Sequence, residues 1–106
     1  MARKISLSYK QAAKLSLQAF DRARIDLEEV MVIPTCHLSD INDTDGEFVR
    51  VSQVYLGDFF SAIDIEFALD GKRYIFTVEQ DMDGYCSGFD PDYNHVATEV
   101  KRRRRR

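Results

Sequence analysis

Tryptophan is absent from the 106-residue chain, proline occurs twice, and the only cysteines are Cys36 and Cys86. Two cysteines are too few for the disulfide framework that staples small secreted domains, so free thiols are expected. No apolar run approaches the ~20 residues that a membrane-spanning helix needs. Lys10, Gln11 and Lys14 interrupt the stretch where a secretory leader would carry its apolar segment, and a cytoplasmic protein is expected. Positive charge is nearly missing from the middle of the chain. Between residues 25 and 100 the basic side chains are Arg50, Lys72 and Arg73, against 17 acidic ones. Residues 1–24 carry six basic side chains and one acidic, and residues 101–106 are all basic. The net charge of −3 thus conceals an acidic body between two basic ends.

With 44% hydrophobic and 31% charged residues, the chain has the composition of one small folded domain, residues 1–100, followed by a basic tail. Its strongest local signal lies in residues 63–78, where two alternating apolar runs flank Asp70-Gly71. Such a pair of runs reads as a β-hairpin with a two-residue loop. That loop sets Phe67 opposite Tyr74, Ile65 opposite Phe76 and Ile63 opposite Val78, with all six side chains on one face. Asp64, Glu66, Thr77 and Glu79 then occupy the other face, which an antiparallel sheet can leave to water.

Upstream, Ser8 and Gln11 have the spacing of a capping box. Ala13, Leu17, Phe20, Leu27 and Met31 follow at helical intervals, predicting one long helix over residues 9–28, before Pro34. Residues 35–47 are a polar connection. Residues 47–56 read as a strand of irregular alternation, and residues 95–100 as a short last one. The expected fold is α+β: one long N-terminal helix packed on a three- to four-stranded, mainly antiparallel sheet.

Residues 79–90 carry acids at positions one, three, five and twelve of a calcium-binding loop, with Gly84 at six. Glu79 and Asp90 replace the usual first and last ligands, and a strand precedes the loop in place of a helix. Cys36, His37, Cys86 and His95 lack the paired spacing of a zinc site. They form no recognisable nucleophile set either, and no phosphate-binding glycine loop is present. No catalytic residue, metal or cofactor is expected.

The charge pattern is more informative. Acidic residues crowd the predicted loops and the open sheet face, where mutual repulsion weakens a fold. A basic partner gives a reason to keep them, with aromatic side chains such as Tyr55 as anchors. The expected partner-binding residues are Asp64 and Glu66 on the sheet, and Asp81, Asp83, Tyr85, Phe89, Asp90, Asp92 and Tyr93 in the loop. In size and charge the chain resembles small acidic inhibitors, namely immunity proteins of nuclease toxins and phage-encoded blockers of host nucleic-acid enzymes. The resemblance is one of class, without a shared motif. It implies a non-enzymatic binder that occupies a basic, nucleic-acid-binding surface of another protein. The alternative rests on Lys101, Arg102, Arg103, Arg104, Arg105 and Arg106. Such a run contacts phosphates without sequence selectivity, as in an accessory protein on nucleic acid or another anionic surface. Nothing in the pattern speaks to oligomeric state.

Overall fold

Asp70 and Gly71 both adopt positive φ, 52° and 79°, as a tight hairpin loop with right-handed strand twist requires. The computed structural model describes residues 3–32 and 45–101. In it this hairpin joins β3 (Phe60–Leu69) to β4 (Lys72–Asp81). The register pairs Phe67 with Tyr74, Ile65 with Phe76 and Ile63 with Val78. All six side chains are buried.

Outside the hairpin, β2 (Glu47–Leu56) pairs with β3 on one side, and β5 (Val96–Glu99) pairs with β4 on the other. Irregularities after Phe48 and after Val51 shift the β2 register twice, which accounts for its mixed alternation. An additional strand, β1 (Lys4–Ser6), lies outside β5. The described sheet is therefore antiparallel with five strands in the order β1-β5-β4-β3-β2, one or two more than the sequence pattern gives. Three residues are too few for a periodic signal to reveal β1.

The expected long helix is also corrected. Ser8 caps α1 (Tyr9–Arg22) through the reciprocal bonds of a capping box with Gln11. The 14-residue helix ends at Ala23, where φ is −107° and ψ 23°. A single turn, α2 (Arg24–Leu27), follows. After this bend Leu27 and Met31 are buried in the core. Burying two large side chains is worth several kcal/mol, more than an unbroken run of helical hydrogen bonds would add.

The two helices cover one face of the sheet, so among the described residues the fold is α+β with a single layer on its sheet. A 3₁₀ turn (Ser87–Phe89) presses Gly88 against Ser16 of α1, and Phe89 stacks on Phe20 at 6.3 Å. Neither described helix is long and apolar enough to cross a membrane. The connection with Pro34, Cys36 and His37, and the run from Arg102 to Arg106, lie outside the described residues.

Candidate functional site

Side chains directly opposite across a sheet share a face, so the register maps the uncovered face residue by residue. One row runs across all five strands: Arg50, Glu66, Ile75, Thr98 and Lys4. Glu66 stands on the expected face but is not open to water, since its side chain is only 4% exposed. Arg50 Nε and Arg73 Nη1 each donate to one carboxylate oxygen at 3.0 Å. Burial alone would raise the Glu66 carboxyl. The hydrogen bonds and charges of Arg73 and Arg50 outweigh it and hold the group below its ordinary value.

Asp64, one row along, accepts from Tyr55 Oη at 2.8 Å and Thr77 Oγ1 at 2.6 Å. The hydrogen bond to Asp64, with some desolvation and the carboxylate charge behind it, pushes the Tyr55 phenol up. Both expected sheet carboxylates thus already have partners within the fold.

The loop after β4 is ordered by its own acids. Asp81 Oδ1 accepts from the backbone N–H groups of Asp83 and Tyr85, each at 3.0 Å, and Gly84 takes a φ of 87° to close the turn. Asp90 Oδ1 accepts from Asp92 N at 2.9 Å, and its other oxygen accepts from the Tyr85 hydroxyl. That bond is the main reason the Tyr85 phenol is pushed up to about 12, with burial and nearby negative charges adding to it. The same hydroxyl bond, joined by the Asp92 backbone N–H, holds Asp90 below its ordinary value.

Of the expected aromatic anchors, Phe89 packs on the core and Tyr93 lies against His95, with ring centroids 5.0 Å apart. His95 is buried and its Nε2 lies 2.7 Å from Ser87 O. Cys86 is buried as well. The described His, Cys, Asp and Glu side chains contain no group of three or more arranged to hold a metal ion.

A different set of residues converges where β2 turns into β3, where β4 ends and where the chain leaves α2. Phe59, Met82 and Leu56 are 74%, 75% and 73% exposed, and Val32 and Phe60 are exposed beside them. Phe59, Phe60, Met82 and Val32 border an open cleft of about 310 Å³. Its other walls include Glu28, Glu29, Asp58 and Asp81, and among the described residues no lysine or arginine lines it. Glu28 has Arg24 as an exposed partner one helical turn away, at 2.9 Å.

The parts are held firmly. Gly57 donates to Phe60 O at 2.9 Å, and a Cβ on Gly57 would stand only 2.9 Å from that same oxygen. Buried Gln80 clamps the far wall by accepting from Val32 N at 2.5 Å and donating to Val32 O at 2.9 Å. Tyr85 borders a second depression together with Phe60, Glu79, Gln80 and Asp81. The structure therefore gathers Asp81 and Tyr85 of the expected loop set near one acidic, apolar end. Phe59, Phe60, Met82, Glu28 and Glu29 were missed. An aromatic pair after a Gly-Asp turn was their one local signal.

No family model matches the chain, and no curated protein or solved structure matches it either. What defines it is a one-sheet antiparallel α+β domain whose charge is sorted along the strands.

Proposed function

We propose that this chain is a non-enzymatic interaction protein, an inhibitor or immunity-type binder whose acidic end occupies a basic, nucleic-acid-binding surface of another protein. One observation carries the reading. Two large apolar side chains, Phe59 and Met82, are each about three-quarters exposed on a cleft walled by four carboxylates. Exposed apolar area forgoes about 25 cal/mol per Å² of burial, and clustered like charge weakens the fold further. A basic partner with an apolar centre reverses both costs, the carboxylates guiding encounter and the aromatics slowing release. The setting this assumes is the cytoplasm, where basic nucleic-acid enzymes are plentiful.

The test begins with capture from nuclease-treated extract, followed by binding kinetics on the purified partner. Asp58→Lys with Asp81→Lys should cut the association rate steeply at low salt and far less near 0.5 M, where screening shortens to ~4–5 Å. Phe59→Ala should mainly speed dissociation, by about 30-fold if it costs ~2 kcal/mol. A partner that is not basic, or rates unmoved by either change, overturns the reading.

A further inference from the structure

β4 and β5 pair at two positions, Tyr74 with Glu99 and Ile75 with Thr98. Beyond Ile75 the strands part, and Ser87 of the 3₁₀ turn bridges them. Its hydroxyl accepts from Glu79 N at 2.9 Å and its carbonyl oxygen from His95 Nε2 at 2.7 Å. A cleft of about 330 Å³ opens where the pairing stops, a size suited to a small organic group. Its polar wall residues are Asp64, Thr77, Tyr93, Asn94, His95 and Thr98. Among the described residues no lysine or arginine lines it. It shares no lining residue with the acidic cleft, so the two sites stand or fall separately.

Two groups in this wall are acceptors that the fold leaves unbalanced. His95 is only 3% exposed. Its Nε2 faces a carbonyl oxygen, which can only accept, so Nε2 carries the ring proton and donates. In the neutral imidazole Nδ1 is then a lone-pair acceptor, and no described residue donates to it. A buried acceptor without a donor forfeits its hydration and gains nothing in return. Asp64 is unbalanced in charge. Two arginines neutralise Glu66, whereas Asp64 is held only by the hydroxyls of Tyr55 and Thr77. Hydroxyl donors orient a carboxylate without cancelling its charge, and its two oxygens keep lone pairs for further donors. In the same wall the Tyr93 ring lies against His95 and is 39% exposed, which leaves aromatic surface free to stack.

We infer that this cleft binds a guanidinium group, with Asp64 opposing its charge, His95 Nδ1 accepting one N–H and the Tyr93 ring stacking on its plane. A guanidinium is planar, always charged and carries five N–H donors, so one group serves several acceptors and an aromatic face together. An ammonium ion fits less well: it offers three donors, holds its water more tightly and has no plane to stack. An anion would meet a carboxylate and a bare lone pair. Nδ1 is closed to water in the free fold, so binding requires the Tyr93 ring to lift from His95 and settle on the ligand. The group belongs either to a free small molecule or to an arginine side chain of a partner, and its chemistry is the same in both.

The test is an NMR titration of the isotope-labelled full chain with methylguanidinium, methylammonium and methylurea, the last a planar neutral analogue. Methylguanidinium should shift the Thr77, Asn94, His95 and Thr98 amides saturably, and should move the His95 Nδ1 resonance as a lone pair that gains a hydrogen bond. It should bind about tenfold more tightly than methylurea, the worth of one hydrogen bond to a charged group. Asp64→Asn should erase that margin. Should Asp64→Asn fail to fold, Tyr93→Leu decides, since loss of the stack should weaken methylguanidinium more than methylammonium. Equal binding of methylguanidinium and methylurea, a margin that survives Asp64→Asn, or indifference to Tyr93→Leu overturns the proposal. So do shifts confined to Glu28, Asp58 and Met82, which would mean that cations gather at the acidic cleft instead. An unmoved Nδ1 resonance removes His95 from the site. A blocked arginine tripeptide binding more tightly than free arginine assigns the group to a partner's side chain, and the reverse order assigns it to a small molecule; both orders uphold the site.

Discussion

Adding one methyl group at Gly88 tests how tightly the loop after β4 is fastened to the helix layer. A Cβ on Gly88 would lie 2.4 Å from Ser16 Oγ, 3.2 Å from Ser16 Cβ and 3.3 Å from Val78 Cγ1. Ser16 is fully buried, and its hydroxyl donates to Ala12 O at 2.7 Å. Rotating the hydroxyl relieves the shortest contact and leaves the other two, so the turn must move by a few tenths of an ångström. Overpacking of this kind costs about 1–3 kcal/mol. Ser16→Ala alone gives up a local bond to a carbonyl that also serves the helix, a loss under about 1 kcal/mol. Together the two changes should recover about 1 kcal/mol, which a double-mutant cycle in urea measures directly. For a chain of this size each kcal/mol moves the melting temperature by about 4–8 °C. If Gly88→Ala melts with the wild type, or shows no coupling to Ser16, the 3₁₀ turn is not seated on α1. The ordered placement of Asp81, Tyr85 and Asp90 would then lose its support.

Phe67 is fully buried and stacks with Tyr74 at 5.6 Å, so Phe67→Ala should cost about 3–5 kcal/mol in urea melts, while Asp64→Ala, at the surface, should cost under about 1; equal costs would reverse the two faces of the sheet. The acid limb of stability should depend on Glu66, whose pKa is depressed in the fold from its ordinary 4.5. Its contribution is complete above that value and is lost as pH falls through the depressed one, so urea stability between pH 6 and 3 should fall less steeply in Glu66→Gln than in the wild type. Identical slopes would mean that the two arginines do not stabilise the carboxylate.

The hairpin was legible because three local signals agree in residues 63–78: Asp-Gly at the turn, alternation on either side and β-branched or aromatic side chains facing inward. The start of α1 was legible for the same reason, since a capping box is a local bond pattern. Its end was not. Nothing between Asp21 and Arg24 breaks a helix, and the bend at Ala23 exists because Leu27 and Met31 find the core only after it. β1 is a tertiary product too: Ile5 and Leu7 reach the core only once β5 supplies the neighbouring edge. For the candidate site, residue type was legible and availability was not. Alternation puts Glu66 on the open face, but only the register reveals that Arg50 and Arg73 close over it. The cleft at the acidic end draws on segments some fifty residues apart, from Glu28 to Met82, and no periodicity links them.

Availability also divides the acidic residues into two kinds that charge counting treats alike. Glu66, Asp64, Asp81 and Asp90 accept hydrogen bonds that hold strands or turns, so the fold has its own use for their charge. A carboxylate with such donors offers a partner less, because binding must compete with bonds already made. Asp58 and Glu29 stand at the cleft, which exposed Phe59 and Met82 also line. Their like charges repel and the apolar side chains stay wet, two costs that the folded domain alone does not return. Asp81 belongs to both groups: one oxygen orders its turn while the residue borders the cleft, which ties the shape of the loop to the charge at its rim. Charge that the fold does not consume, placed against apolar surface it does not bury, is the physical ground for proposing that a partner engages this end of the molecule.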